Sequence, residues 1–353
     1  MAHSNHDNPR MQTNDQFLTW ETQLSKAVAL LKSGECVGMP TETVYGLAGD
    51  ALNPNAVAKV FEIKRRPAFD PLIIHVTADL PLEDYVILNE TAQVLMEQFW
   101  PGPLTLLMKK TDLISDLVTS GHRTVAVRCP AHPAAQALIN AYGRPLVAPS
   151  ANRFGQLSPT SVEAVRLGLK GEVELILEGG GCRIGLESTI VDTTADWPEL
   201  PVLRFGGIPV EDLSSLGYNL SYPTPIIGQA PGTLKNHYAP SIPLYLWDKE
   251  HHASHLVNQG EPIDPKLGAW LGWREHNTDF GGSFVLSEVG DLRQAAYRVF
   301  SLLRALSEQN FKMIIAELPP DKELGKAIRD RLKRGASGYL SNIQNVWSLI
   351  DQV

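Results

Sequence analysis

The sequence predicts an α/β protein in two parts: a domain built on a twisted, mixed, partly antiparallel sheet, followed by a smaller Rossmann-like α/β domain. Three features predict it. Apolar runs of strand length alternate with segments whose apolar residues recur at helical spacing. A Gly-, Pro- and Ser-rich stretch from Gly206 to Pro243 interrupts the alternation, and no apolar period survives within it. The alternation then resumes as far as Leu318. At 353 residues the chain is long enough for two cores. The expected division is a disordered lead-in over 1–16, a first domain over 17–208, a linker or lid over 209–242 and a second domain over 243–353.

Taken in order, a first helix is expected over residues 20–33, with Leu24, Ala27, Val28 and Leu31 on one face and Gly34 as its cap. Cys36-Val37-Gly38-Met39 reads as a buried strand, and the hydroxyl-rich turn Pro40-Thr41-Glu42-Thr43-Val44-Tyr45-Gly46 follows it. Asn53 is a good N-cap, Pro54 suits the first helical position, and Val57, Val60 and Phe61 recur at helical spacing. Pro67 stops that helix, because the residue before a proline is pushed out of the α region. The last turn and exit carry Lys64, Arg65 and Arg66, and a strand over Leu72–Val76 brings in His75. Leu104–Lys109, Thr124–Cys129 and Pro145–Ala148 read as strands, and His132–Tyr142 as a helix capped by Gly143. A Ser/Thr-Pro start introduces a helix over Ser158–Leu169, and Val173–Leu177, Thr189–Asp192 and Val202–Phe205 read as short strands. Beyond the linker, Leu244–Trp247, Leu267–Gly272, Ser283–Leu286 and Met313–Leu318 are strand-like. Leu292, Ala295, Ala296, Val299, Leu302, Leu303 and Leu306 mark a strongly amphipathic helix among them.

Apolar content of 43% and charged content of 20% are those of an ordinary globular protein. The net charge of −8 argues against a general nucleic-acid coat protein. Between residues 17 and 208 there are 16 Lys and Arg against 21 Asp and Glu, so any anion site must be local. Three widely spaced cysteines without a CxxC fit a reducing compartment and give neither a disulfide framework nor a zinc site. No apolar run approaches the roughly 18 residues of a membrane span, and the polar N-terminus lacks the apolar region of a secretory signal. The expected location is the cytoplasm, with no membrane partner.

Common phosphate-binding fingerprints are missing. Gly325-Lys326 is followed by Ala327, and Gly179-Gly180-Gly181 with Gly185 misses the GxGxxG spacing. HExxH is absent. His251, His252 and His255 have ligand-like spacing, but no carboxylate stands at a telling offset and a solvated face accounts for them, so no metal site is expected. Lys64, Arg65 and Arg66 have two readings: partners for the negative end of a helix dipole, or a polyphosphate site held on rigid elements between the hydroxyl turn and His75. Ser150 and Asn152 lie just outside the carboxyl end of a strand, where open α/β sheets place ligand contacts, yet both residues also make ordinary turns and caps. Glu187-Ser188-Thr189 after the glycine cluster has the same two readings. Arg128 at a strand end suits either a substrate carboxylate or a structural ion pair. Arg204-Phe205-Gly206-Gly207 and the linker segment 230–240, with Lys235, His237 and Tyr238, suit a lid closing on a site better than a bare spacer.

PTETVYGL, Lys64-x-Arg66, PGPLTLL, VAVRCP, Ser150-x-Asn152 and ESTIVD stand in an order that resembles the threonylcarbamoyl-AMP synthases. HYAP in the linker and the α/β region after it are similar to the long, two-domain form of that family, a YrdC-like catalytic domain with a C-terminal domain. The resemblance implies a nucleotidyltransferase joining L-threonine, bicarbonate and ATP, with Mg²⁺, into threonylcarbamoyl-AMP and pyrophosphate, the first step of tRNA threonylcarbamoyladenosine formation. It implies Lys64 and Arg66 as catalytic residues, and Thr43, His75, Arg128, Ala148 and Ser188 around threonine. It places ATP on Arg66, Asp70, Thr124, Ser150, Asn152, Ser158, Arg204 and His237, and suggests tRNA and the downstream transfer machinery as partners. One position departs from the family, which has Asn where this chain has Asp70. A carboxylate there repels phosphates unless it faces Mg²⁺ or turns outward. Two other readings stand beside this one. A non-catalytic module for tRNA or double-stranded RNA explains the basic run but not the acidic balance. A carbamoyltransferase working from carbamoyl phosphate tends to add CxxC pairs, which are absent here.

Overall fold

The computed structural model describes residues 19–195, 198–223, 237–247 and 264–340. His251, His252, His255 and linker residues 224–236 lie outside them. Ten strands form the first sheet: β1 (Val37–Met39), β2 (Gly46–Asp50), β3 (Ile73–His75), β4 (Val86–Ile87), β5 (Leu104–Lys110), β6 (Thr124–Arg128), β7 (Leu146–Val147), β8 (Thr189–Asp192), β9 (Leu200–Arg204) and β10 (Leu220–Ser221). They run across the sheet as β1-β2-β7-β3-β6-β5-β8-β9-β10, with β4 against β5. Pairs β3–β6, β5–β8 and β9–β10 are parallel and the other pairs antiparallel, so the sheet is mixed. Five further strands, β11 (Leu244–Trp247), β12 (Gly268–Gly272), β13 (Gly282–Val285), β14 (Met313–Glu317) and β15 (Gly338–Leu340), form a second, wholly parallel sheet in the order β13-β12-β14-β11-β15. Every residue of β12 and β14 is buried, as parallel strands covered on both faces require.

The helices are α1 (Trp20–Lys32), α2 (Pro54–Lys64), α3 (Glu90–Phe99), α4 (Asp116–Thr119), α5 (Pro133–Tyr142), α6 (Val162–Leu169), α7 (Val210–Ser215), α8 (Leu292–Ser307) and α9 (Leu324–Gly335). Local chemistry sets several of their ends. The Asn53 side chain accepts from the Asn55 amide to open α2, and Gly143 closes α5 at φ 78°. The helix expected from Ser158 begins only at Val162, capped by the Ser161 hydroxyl. Pro159 disfavours helical geometry at Ser158, and its carbonyl is taken by the Tyr45 amide.

Two other expectations change. Val173–Leu177 forms no strand and meets β1 through a single bridge, Gly38 to Ile176. Residues 210–221, read as linker from composition, form α7 and β10, and β10 extends the first sheet. Val210 and Leu213 are buried there, too short an apolar pattern to register as periodic. A further element, β2, is not anticipated from the sequence at all, because its Gly-Leu-Ala-Gly-Asp stretch has low strand propensity. It is held by pairing on both sides, to β1 and β7.

Strand alternation gives the first sheet two unlike faces. Ile74, Val125, Val127, Leu104, Leu106, Met108 and Val191 enter the main core beneath α2 and α3 residues such as Val57, Val60 and Leu95. The opposite face carries only a small apolar cluster, Ile73, Leu107, Ala126, Ile190 and Leu203. His75, two residues along β3 from Ile73, shares that thinner face, and so does Arg128, two along β6 from Ala126.

Candidate active site

Over the thin face lies a narrow cavity of about 50 Å³. Its wall contains Thr43, Arg66, His75, Arg128, Ala148, Ser150, Ser188, Arg204 and His237 from the expected site residues, together with Glu187 and Tyr238. Residues spread over almost two hundred positions of sequence are thus gathered at one place.

The basic exit of α2 resolves into two inward charges and one outward. Arg65 adopts a left-handed conformation, φ 51°, as the helix C-cap and is exposed, while Lys64 and Arg66 on either side are buried. The Lys64 ammonium donates to the carbonyls of Ser150 and Asn152, the latter at 2.7 Å. Lys64 therefore ties the Ser-x-Asn turn to α2. Burial, reinforced by the neighbouring Arg66, lowers its pKa well below the ordinary lysine range. Arg66 donates to the carbonyls of Asp70 at 2.9 Å and Pro71 at 2.8 Å, and its Nη2 lies 2.8 Å from Asp70 Oδ2, an ion pair without hydrogen-bond angles.

Asp70 neither turns outward nor lines the cavity. It is buried behind Arg66, and burial raises its pKa even against the pull of that guanidinium. Its place in this structure is as a counter-ion for Arg66.

Arg128 makes a structural ion pair and also lines the cavity. Nη2 pairs with Glu42 Oε1 at 2.6 Å, Nη1 donates to Thr43 Oγ1 at 2.8 Å and Nε donates to the Gly102 carbonyl, while the guanidinium still lines the cavity. His75 beside it is buried, and burial with the Arg128 charge pushes its pKa down to about 3. The ring is therefore neutral at pH 7, and Nδ1 has no partner. Ser188 shares a 2.7 Å hydroxyl contact with Thr105 and accepts from Arg204 at 3.0 Å. Burial lowers Arg204 to about 10. His237 sits edge-on to Phe154 and Tyr238, and burial, then Arg66 and Lys64, hold it neutral.

Besides Lys64 and Asp70, three more expected residues do not reach the cavity wall. Asn152 is buried, with its amide donating to the Arg153 and Gln156 carbonyls, and acts through the Lys64 contact. Ser158 touches the wall only through Glu187, to which its hydroxyl donates. Thr124 lies on the same face as Arg128 but at the other end of β6, about 13 Å along the strand.

Sequence reasoning overlooked Arg331 altogether. It belongs to α9 and is fully buried, with Nε 2.8 Å from Glu187 Oε2. An arginine in a charged amphipathic helix reads as a solvent-facing residue, so no signal marked it. Tyr238 was visible only as part of a lid. It stacks on Phe300 of α8, with ring centroids 5.6 Å apart.

Neutral histidines and three guanidiniums on one narrow cavity suit anionic ligands. The fold and site thus define a two-domain α/β protein with a guanidinium-lined cavity. Comparison with known proteins makes the class specific. A family profile described as Telomere recombination matches residues 29–206, and one described as Threonylcarbamoyl-AMP synthase, C-terminal domain, matches residues 208–337. The threonylcarbamoyl-AMP synthase of Bacillus subtilis (strain 168) is 38% identical over 337 residues, covering 92% of this chain and 96% of the relative. That of Pyrococcus abyssi is 38% identical over 331 residues, covering 90% and 95%. The crystal structure of P. abyssi Sua5 complexed with L-threonine superimposes with a TM-score of 0.79 at 34% identity, covering 91% of this chain and 96% of that one. The chain belongs to the threonylcarbamoyl-AMP synthase family.

Proposed function

We propose that this chain condenses L-threonine, bicarbonate and ATP into threonylcarbamoyl-AMP with release of pyrophosphate, and that the cavity is where it does so. The observation that carries the reading is the convergence of Arg66, Arg128 and Arg204 with two neutral histidines on one cavity wall. Threonine is assigned to Thr43, His75, Arg128, Ala148 and Ser188, its carboxylate towards Arg128. The nucleotide is assigned to Arg66, Ser150, Arg204 and His237, with Lys64, Asn152 and Ser158 shaping that wall and Thr124 placed for its far end. All three reactants other than the threonine amine bring negative charge, so repulsion is the main obstacle to their meeting. Fixed guanidiniums in a water-poor chamber lower it, and positioning supplies much of the remainder.

The amine nitrogen attacks the bicarbonate carbon, a C–N bond forms, and water leaves to give the carbamate. A carbamate oxygen then attacks the α-phosphorus, and the α–β phosphoanhydride bond breaks to release pyrophosphate. His75, neutral with a free Nδ1, accepts a hydrogen bond from the amine rather than storing its proton, because its pKa is pushed down to about 3. Mg²⁺ supplies charge neutralisation on the phosphates. Glu187 on the cavity wall and Glu42 behind Arg128 are already paired with arginines, and no described group of three His, Cys, Asp or Glu could hold a metal. The residues present therefore do not fit a protein-held ion, whereas an ion carried by the nucleotide's phosphates needs no such cage. The product's use in tRNA modification and a cytoplasmic location belong to the same proposal.

Mass spectrometry of the nucleotide formed from ATP, bicarbonate and isotope-labelled threonine tests the reading. A labelled threonylcarbamoyl-adenylate is expected, with pyrophosphate released only when threonine and bicarbonate are both present. Equal pyrophosphate release without threonine sinks it.

A further inference from the structure

We infer that the second domain completes the active site through Arg331, a positioning residue that cancels the charge of Glu187 beside the Tyr238 ring. The inference deepens the proposed function and rests on the nucleotide occupying the cavity. Glu187 is the one carboxylate on that wall among the described residues, and the proposed ligands are all anionic. Left free, it would oppose phosphates and carbamate. Both of its oxygens are engaged instead: Oε1 accepts from the Ser158 hydroxyl, and Oε2 accepts from Arg331 Nε at 2.8 Å. Burial alone would raise this carboxyl, but Arg331, Arg204 and the Ser158 hydroxyl hold it below the ordinary range, so it stays ionised and needs its counter-ion.

The remaining contacts of Arg331 bind three other parts of the molecule. Nη2 donates to the Phe205 carbonyl at 2.8 Å, just after β9. Nη1 pairs with Asp330 at 2.7 Å, and Asp330 is held in turn by Arg334 at 2.9 Å. The guanidinium carbon lies 5.1 Å from the centre of the Tyr238 ring, a cation–π distance. Tyr238 follows His237 on the cavity wall, has φ 67°, and is stacked on Phe300 from its other side. One side chain of α9 thus touches the only carboxylate on the wall among the described residues, the exit of β9 and Tyr238. Asp330 and Arg334 fix it in place, so the site is incomplete without the second domain.

Arg331→Met and the double variant Glu187→Gln/Arg331→Met test this in the full chain. In the single variant, KM for ATP is expected to rise at least tenfold, with a smaller change in KM for threonine. In the double variant no buried charge is left unpaired, and KM for ATP is expected to return to within about threefold of the parent value. Arg331→Lys, which keeps the charge but loses the fork of donors, is expected to fall between. Should the single variant fail to fold, the double variant still decides: folded with near-parental KM for ATP supports the inference, and folded with KM raised tenfold overturns it. An unchanged KM in folded Arg331→Met also overturns it. Either of those results, with the parent still making threonylcarbamoyl-AMP, leaves the proposed function standing. A parent that makes none removes that function instead.

Discussion

At the scale of single residues, the site works by holding charges where water cannot screen them. His75 gives this a pH signature. Its pKa is about 3 in the folded protein against an ordinary 6.5, so below pH 6.5 the unfolded chain takes up a proton that the folded one refuses. Stability is therefore lost as pH falls from about 6.5 towards 3, at up to about 1.4 kcal/mol per pH unit for this group. His237, also held neutral, adds to the loss in the same direction. Urea titrations between pH 6 and 4.5 are expected to show His75→Asn with a slope shallower by nearly one proton, and an unaltered slope would falsify the assignment. Lys64 and Arg66 provide a second measurement. Lys64→Ala strips the Ser150 and Asn152 carbonyls of their donor, and Arg66→Ala removes a guanidinium from the wall. Turnover is expected to drop about a hundredfold or more in each, since a shift of about 1 Å can cost that much. If both variants keep near-parental rates, the basic exit serves only the helix end.

At the scale of elements, the strands matter for what their ends hold. Ser188 immediately precedes β8 and Arg204 ends β9, and the loop after β9 passes so close that a Cβ on Gly206 would meet the Ser188 carbonyl carbon at 2.3 Å and its oxygen at 2.4 Å. These are backbone atoms that cannot swing aside. Gly206→Ala is expected to destabilise the fold by about 1–3 kcal/mol and to lower kcat by more than the population of unfolded protein explains. Thermal melts and rate measurements on the same sample separate the two, and a variant matching the parent in both removes the close approach from the account. Most strands and helices that frame the cavity are legible in the sequence because period and punctuation are local. α2 announces itself through Asn53 and Pro54, and α5 through Gly143. β2 and β10 are not legible, because pairing with neighbours distant in the chain decides them against or without local preference.

At the scale of the whole molecule, the two halves share a core. Val44, Leu157 and Leu186 from the first part pack in one apolar cluster with Tyr238, Phe300, Leu292 and Leu324 from beyond residue 237. A chain ended at residue 208 is expected to expose that cluster, to bind an apolar dye and to yield less threonylcarbamoyl-AMP per pyrophosphate released, as the intermediate meets water. An undiminished ratio by chromatography would remove the lid and the second domain from the chemistry. The sequence by itself determined the α/β class, the order of the main strands and helices, the motifs that identify the family, and the cluster of candidate side chains. Those follow from spacing along the chain, which needs no third dimension. Only the tertiary structure decided the fate of each charge: Asp70 behind Arg66, Arg128 shared between Glu42 and the cavity, and Arg331 reaching back across 144 residues to Glu187. The physical reason is that a buried charge is tolerable only beside a partner. Which partner that is depends on where distant segments meet.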